Sequence, residues 1–294
     1  MFDSKPSLTA QSVASNILYL SSDPVFGKLV PAEAVTPTRW FLEATPGGLG
    51  KLTAALDNPL LRSLAQVVER LSVPGISVHN AVRKCWIEEQ VRDAIGAGIT
   101  QVVVLGAGFD TLAYRLHRQF SEILWLEIDH PATLEVKQRA FADHEQLGEN
   151  YQLLANDFTK QSLADVLEKT KVFNYRSNTV FIMEGLLMYL PENEVRRLFK
   201  AVHRHSGFGS RIVGTALEDK SRNDPSGLNT LKLQLIGEPY LWRIAPEKFA
   251  GYLRDVGFRL VDSQQDREVI QRYLPDLPEK VTLPGEEFFF VAKK

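Results

Sequence analysis

Four groups of side chains in this 294-residue chain have the types and spacing to hold a charged, nucleotide-like ligand. The first is Gly106 and Gly108 in "VVVLGAGFDTLAYRL" (102–116), where an apolar run ends in two glycines and turns amphipathic. Without side chains, these residues let backbone approach a ligand and bring helix N–H groups toward it. A tight strand-to-helix turn explains the same pair without a ligand. The second is Asp129, 23 residues beyond Gly106, with Glu127 two residues earlier as its rival. An ionised carboxylate only accepts hydrogen bonds, and its two oxygens suit the paired hydroxyls of a ribose. The plainer reading is an acid stabilised at a helix N-terminus. The third is Asp157 with Phe158 in "NDF". It combines an acceptor for the exocyclic amine of adenine with a ring to cover a base, or else forms a strand-ending turn. The fourth is Glu184 in "FIMEGLLMYLPE". A charge that close to a buried strand needs a partner, either a bound cationic group or a buried arginine.

Thr111 stands where the third glycine of a Gly-x-Gly-x-x-Gly fingerprint belongs, which counts against a dinucleotide pyrophosphate. A single adenosine joined to an amino acid asks less of the loop. Arg83, on the helix ahead of the first strand, then offers a bidentate partner for the amino-acid carboxylate. Its alternative is an exposed helical arginine paired with a nearby acid. The combination points to S-adenosylmethionine rather than NAD, with Asp110 of the glycine loop included among the cofactor-binding residues.

These residues need a scaffold that brings strand ends together. From about residue 101 short apolar runs alternate with longer amphipathic ones, the pattern of a parallel sheet with helical crossovers. Strands are predicted at 101–106, 122–129, 151–157, 178–185 and 210–217, each rich in Val, Ile, Leu or Phe. Helices are predicted at 110–119, 131–147, 160–170 and 191–206, the second opening on Pro131, where a missing N–H is harmless. After the fifth strand, "EDKSRNDPSGLNTLKLQLIGEPYLW" breaks the rhythm and reads as an inserted lid over about 218–245. A helix, "APEKFAGYLRDVGF", and two strands, "RLVDSQQ" and "EEFFFVAKK", close the chain. Residues 1–80 show no strand alternation. The apolar spacing of "LRSLAQVVERL" (61–71) predicts helices that pack onto the sheet as a cap. The domains are thus expected at 1–80 and 81–294.

The composition, 44% hydrophobic and 24% charged, supports a sizeable core. A net charge of −2 gives no general pull toward nucleic acid or anionic membrane. No apolar stretch reaches the ~18 residues of a membrane span. Cys85 is the only cysteine, so no intrachain disulfide forms. With no signal-like N-terminus, a cytoplasmic protein is expected.

In "QVVVLGAGFDTLAYRL", "WLEIDHPATLEVK", "NDF" and "MEGLLMYLPE" the chain resembles the leucine carboxyl methyltransferase family, including its bacterial O-methyltransferase branch. The motifs cover residues 83 to about 200 in the family's order. The resemblance implies a class I methyltransferase: an α/β, Rossmann-like, doubly wound sheet of seven strands, the last antiparallel, with an N-terminal helical cap. It implies that Arg83 holds the methionine carboxylate, Gly106 lies in the glycine loop and Asp129 holds the ribose. Asp157 and Phe158 fall on the adenine side, and Glu184 contacts the cofactor. Leu112 departs from the family's frequent arginine in "DTR". Val104 stands where broader class I enzymes carry an acid, a departure the family shares.

Methyl transfer from a sulfonium is an in-line displacement, so alignment is the main task of the protein. A carboxylate nucleophile, with a pKa of ~4, is already ionised at neutral pH. A phenol or alcohol would call for a nearby histidine. Among His79, His117, His130, His144, His203 and His205, only His130 is placed near the strand ends, to cover the adenine or cap the next helix. No metal-ligand spacing is present. The expectation is an O-methyltransferase without a dedicated catalytic base, acting on a carboxylate of a small molecule or a protein C-terminus. A non-catalytic S-adenosylmethionine-binding protein and an NAD-linked oxidoreductase are the rival readings. In "GEPYLWRI", Tyr240, Trp242 and Arg243 either line an acceptor pocket or pack the lid onto the sheet.

Overall fold

The computed structural model describes residues 5–47, 50–51, 53, 55–56, 58–144, 147–219, 239–277, 284 and 286–294. The centre of the expected lid, 220–238, lies outside the described residues. The strands are β1 (Gln101–Leu105), β2 (Leu124–Asp129), β3 (Tyr151–Ala155), β4 (Thr179–Met183), β5 (Arg211–Leu217), β6 (Arg259–Gln265) and β7 (Glu287–Lys293). They form one sheet in the order β3-β2-β1-β4-β5-β7-β6. β1 to β5 pair in parallel, and β7 runs antiparallel to both of its neighbours.

Alternation along each strand explains why both faces are covered. Val102 and Val104 of β1 join one apolar cluster with Val180 and Ile182 of β4. Val103 and Leu105 join a second cluster with Phe181 and Met183. A strand buried on both sides reads as a continuous apolar run, which is how β1 and β4 were legible. Edge strand β6 instead alternates between exposed and half-buried residues.

On the first face lie α1 (Leu8–Ser21), α2 (Ala32–Ala44), α4 (Ile76–Gly96), α5 (Leu112–Leu116), α6 (Pro131–His144) and α10 (Asp266–Tyr273). On the second lie α7 (Leu163–Lys169), α8 (Glu192–Arg204) and α9 (Pro246–Asp255). α4 runs through residues 80 and 81 without a break. Helix α10, begun by a Gln265–Glu268 capping box directly after β6, was not anticipated.

Two expectations hold only in part. The 61–71 stretch does form a helix, α3 (Pro59–Ser72), but none of its residues is buried. Its apolar stripe of Leu60, Leu64, Val67, Val68 and Leu71 is exposed, while Glu69 accepts a hydrogen bond from Ser77 Oγ at 2.6 Å. Half-buried Leu61 and Ala65 pack against the core of the first face, so α3 meets the protein along one edge of its apolar pattern. The helix expected at 110–119 is also shorter. The Asp110 carboxylate accepts from the N–H groups of Thr111 and Leu112, at 2.5 and 3.1 Å, so the chain enters α5 only at Leu112. A five-residue helix brings little dipole to the glycine loop.

Candidate active site

The loops after β1 and β4 meet where the strand order reverses, the place where open α/β sheets hold ligands. Gly106 and Gly108 have φ of +69° and +51°, a region glycine enters without strain. A Cβ on Gly106 would stand 2.9 Å from Leu186 Cδ1, and one on Gly108 would stand 3.2 Å from Ala10 of α1. The glycines therefore serve close packing as well as turning. Above them opens a cavity of about 800 Å³. All eight expected site residues line it: Arg83, Gly106, Gly108, Asp110, Asp129, Asp157, Phe158 and Glu184. Apolar side chains of α1 and the segment after it, Val13, Ile17, Leu29 and Val30 among them, supply much of the opposite wall.

Both Asp129 and Glu127 are buried, but only Asp129 lies in the cavity wall. Glu127 is fully buried, lies outside the cavity wall, and pairs with Lys137 of α6 at 2.5 Å. Asp129 ends β2 at the cavity, where its oxygens accept from Gly108 N–H and His130 N–H, each at 2.5 Å. Burial pushes the Asp129 carboxyl up, and those two N–H groups oppose the shift. A carboxylate has about four lone-pair sites, so two bonds leave acceptor capacity for a ligand.

Arg83 is not the exposed arginine of the plainer reading. It is 7% exposed, with Nε donating to Glu184 Oε1 at 2.9 Å and Nη1 donating to both oxygens of Glu287 at 3.2 Å. Against the cost of burial, Glu287 and Glu184 hold its guanidinium above its usual range. Lys84 adds a second cation, 3.2 Å from Glu184 Oε1 and 3.4 Å from Asp110 Oδ1. Burial would raise the Asp110 carboxyl, but Lys84, Lys137 and Arg115 hold it at about 2. The other oxygen of Glu184, Oε2, is buried with no hydrogen-bond partner among the described residues. Arg83 Nη2 stands beside Gly185, whose added Cβ would lie 3.5 Å away.

Three residues here escaped the sequence reading. Glu287 opens the last strand and reaches Arg83 only through the fold. Lys84 follows Arg83 directly, and its spacing gave no separate signal. Asn156 precedes the "DF" pair and is 2% exposed. Its Nδ2 donates to the Gln161 carbonyl at 3.3 Å, which fixes the amide orientation. Its Oδ1 has no hydrogen-bond partner among the described residues, and the residue lines the cavity. Asp157 is already engaged, with Oδ1 accepting from Thr159 N–H at 3.0 Å and Thr159 Oγ1 at 2.6 Å.

His130 caps α6: its Nδ1 accepts from Ala132 N–H at 3.3 Å. Trp242 is buried against Phe249 and Tyr252, and Arg243 lies 3.7 Å from Glu286. Tyr240, Trp242 and Arg243 do not line the cavity, whereas Pro239 and Leu241 of the same stretch do. No cluster of three potential metal ligands occurs among the described residues.

Residues 11–203, about two thirds of the chain, match the family model described as leucine carboxyl methyltransferase. The chain belongs to that family. A Mycobacteroides abscessus protein named "Putative S-adenosyl-L-methionine-dependent methyltransferase" is 34% identical over 198 residues, covering 67% of this chain and 58% of the relative. A Mycolicibacterium smegmatis protein of the same name is 36% identical over 136 residues, covering 46% of this chain and 42% of its own length. The matches thus span about half the length of these curated relatives. Among solved structures, a "putative methyltransferase" from Thermobifida fusca superposes with a TM-score of 0.59 at 19% identity, covering 87% of this chain and 94% of the other. That likeness shows the fold that this leucine carboxyl methyltransferase family member shares with it.

Proposed function

We propose that this family member is an S-adenosyl-L-methionine-dependent O-methyltransferase acting on a carboxylate, carried by a small molecule or a protein C-terminus. The observation that carries the reading is Glu184, with one oxygen tied to Arg83 and Lys84 and the other buried without a partner. A buried, unpaired acceptor beside a buried guanidinium suits a zwitterion: the ammonium goes to Glu184 Oε2 and the carboxylate to Arg83 Nη2. NAD has no such tail. Asp129 then accepts from the ribose hydroxyls, Asn156 Oδ1 from the adenine amine, and Asp157 with Phe158 borders the base. When bound, the cofactor supplies a sulfonium methyl for in-line transfer.

The preference for a carboxylate is supported by three candidate bases of the described cavity wall that are already engaged. His130 is the histidine of the cavity wall, and its Nδ1 lone pair is committed to the α6 cap. The wall acids Glu88 and Glu89 are bound by Arg92, Arg115 and Arg272. An acceptor already ionised at neutral pH needs none of them. Residues 1–80 as a cap and about 218–245 as a lid would choose the acceptor, in a cytoplasmic setting.

The test incubates the protein with methyl-labelled S-adenosyl-L-methionine and a panel of carboxylic acids and C-terminal peptides, scoring label released by mild base. Ester formation is expected. Binding of S-adenosylhomocysteine with no label transferred to any acid would favour a non-catalytic binder. A thermal shift with NADH but not S-adenosylhomocysteine would return the dinucleotide reading.

A further inference from the structure

The pair Lys137–Glu127 is unused by the function above, although neither side chain has any exposed surface. Lys137 donates to Glu127 Oε2 at 2.5 Å and to the Asp110 backbone carbonyl at 2.6 Å, with its Nζ 5.1 Å from the centre of the Phe41 ring. The Tyr151 hydroxyl also interacts with the Glu127 carboxylate, and burial pushes the carboxyl up against the pull of Lys137. Such a pair is a poor way to gain stability. Desolvation of both ions offsets their attraction, and apolar residues of like volume commonly do as well.

What the pair does is hold the glycine loop. Gly108 N–H is fixed by Asp129 on the cavity side, the Asp110 carboxylate by Lys84 from α4, and the Asp110 carbonyl by Lys137 from α6. The loop is short and twice left-handed, closed by Asp110 N–H donating to the Ala107 carbonyl at 2.9 Å. Releasing the Asp110 carbonyl frees the last corner of that turn, and with it the amides that must approach the ligand.

We propose that Lys137 is a positioning residue of the cofactor site, clamping the Asp110 carbonyl so that the Gly106–Asp110 loop keeps its binding shape, with Glu127 as its buried counter-charge. This rests on the cofactor assignment made above. It separates the roles of the two partners: the clamp needs the ammonium, whereas Glu127 only neutralises it.

Calorimetric titration with S-adenosylhomocysteine, paired with the melting midpoint of the ligand-free protein, tests the separation. Lys137→Met combined with Glu127→Met removes both charges, so the midpoint stays near wild type. Affinity is expected to fall about tenfold or more, the worth of a lost charge-assisted hydrogen bond. Glu127→Gln keeps the ammonium on the carbonyl and is expected to bind within about threefold of wild type, well under the loss of that bond, whatever its midpoint. Faster amide exchange over 106–112 in the double variant supports the clamp. Wild-type affinity in the double variant would overturn it, as would a loss in Glu127→Gln equal to that in the double variant. Failure of the wild-type protein itself to bind would instead strike the cofactor assignment.

Discussion

Glu287 opens the final strand and offers both carboxylate oxygens to Arg83 Nη1 at 3.2 Å, across 204 positions of sequence. The last strand thereby holds the arginine that faces the cavity, and Glu287 lies outside the 11–203 segment that matches the family model. His79, one helical turn before Arg83, extends the chain of charges, with Nδ1 2.8 Å from Asp266 and Nε2 3.4 Å from Glu287.

Arg83→Lys tests whether this fork matters. Lysine keeps the charge but cannot serve Glu184, Glu287 and a ligand carboxylate from one rigid plane. Affinity for S-adenosylhomocysteine, measured by calorimetry, is expected to drop roughly ten- to a hundredfold. An unchanged value would remove Arg83 from the binding set.

The network also sets a pH dependence. Burial alone would lower His79, but Asp266 and Glu287 outweigh it and raise its pKa from 6.5 to about 9. Burial would raise Glu287, but Arg83 and His79 bring it from 4.5 to about 2. Stability from His79 is full below 6.5 and is lost as pH rises toward 9; that from Glu287 is full above 4.5 and is lost as pH falls toward 2. The melting midpoint should therefore decline from pH 6.5 to 9, and His79→Gln should flatten that decline. Equal slopes in both proteins would contradict the assignment.

Gly106→Ala should be costly out of proportion to one methyl. The left-handed backbone costs about 1–2 kcal/mol for a residue with a Cβ, and Leu186 stands 2.9 Å from where that Cβ would lie. Chemical denaturation should show the loss, together with weaker S-adenosylhomocysteine binding.

Asn156→Leu removes the unpartnered acceptor at nearly constant volume. Wild type should favour S-adenosylhomocysteine over S-inosylhomocysteine, which lacks the amine, and the variant should lose about fivefold of that preference, the value of a neutral hydrogen bond. Competition binding of the two ligands measures it.

The exposed stripe of α3 gives a contrasting expectation. Leu64→Ser, at a side chain that is 59% exposed, should change folding stability by no more than ~0.5 kcal/mol. Phe41→Ala, at a fully buried ring of α2, should cost about 3–5 kcal/mol. Denaturant titration of both variants distinguishes them.

What could be read in the sequence follows from range. Strands β1, β2 and β4 declared themselves because burial on both faces leaves an apolar run, and Gly106, Asp129 and Glu184 fell at their ends, as Asp157 did after β3. The residues that complete the site were hidden for the opposite reason. Glu287 and Asp266 look like solvated acids in "EEFFFVAKK" and "QQDREVIQ" until the antiparallel return of β7 brings the first to α4 and the packing of α10 on α4 brings the second. Glu127 and Asp129 share a strand face and a spacing, and only the position of Lys137 on α6 separates the buried counter-charge from the cavity acid. On α3 only Leu61 and Ala65 of the apolar pattern pack against the core, beside the Glu69–Ser77 hydrogen bond, and periodicity alone does not single them out.

The most direct measurement is a crystal structure of the protein with S-adenosylhomocysteine. The ribose hydroxyls should lie within hydrogen-bond distance of Asp129, the ammonium against Glu184 Oε2 and the carboxylate against Arg83 Nη2. Ligand density away from the Gly106 loop, or an amino-acid tail turned away from Arg83 and Glu184, would contradict the account.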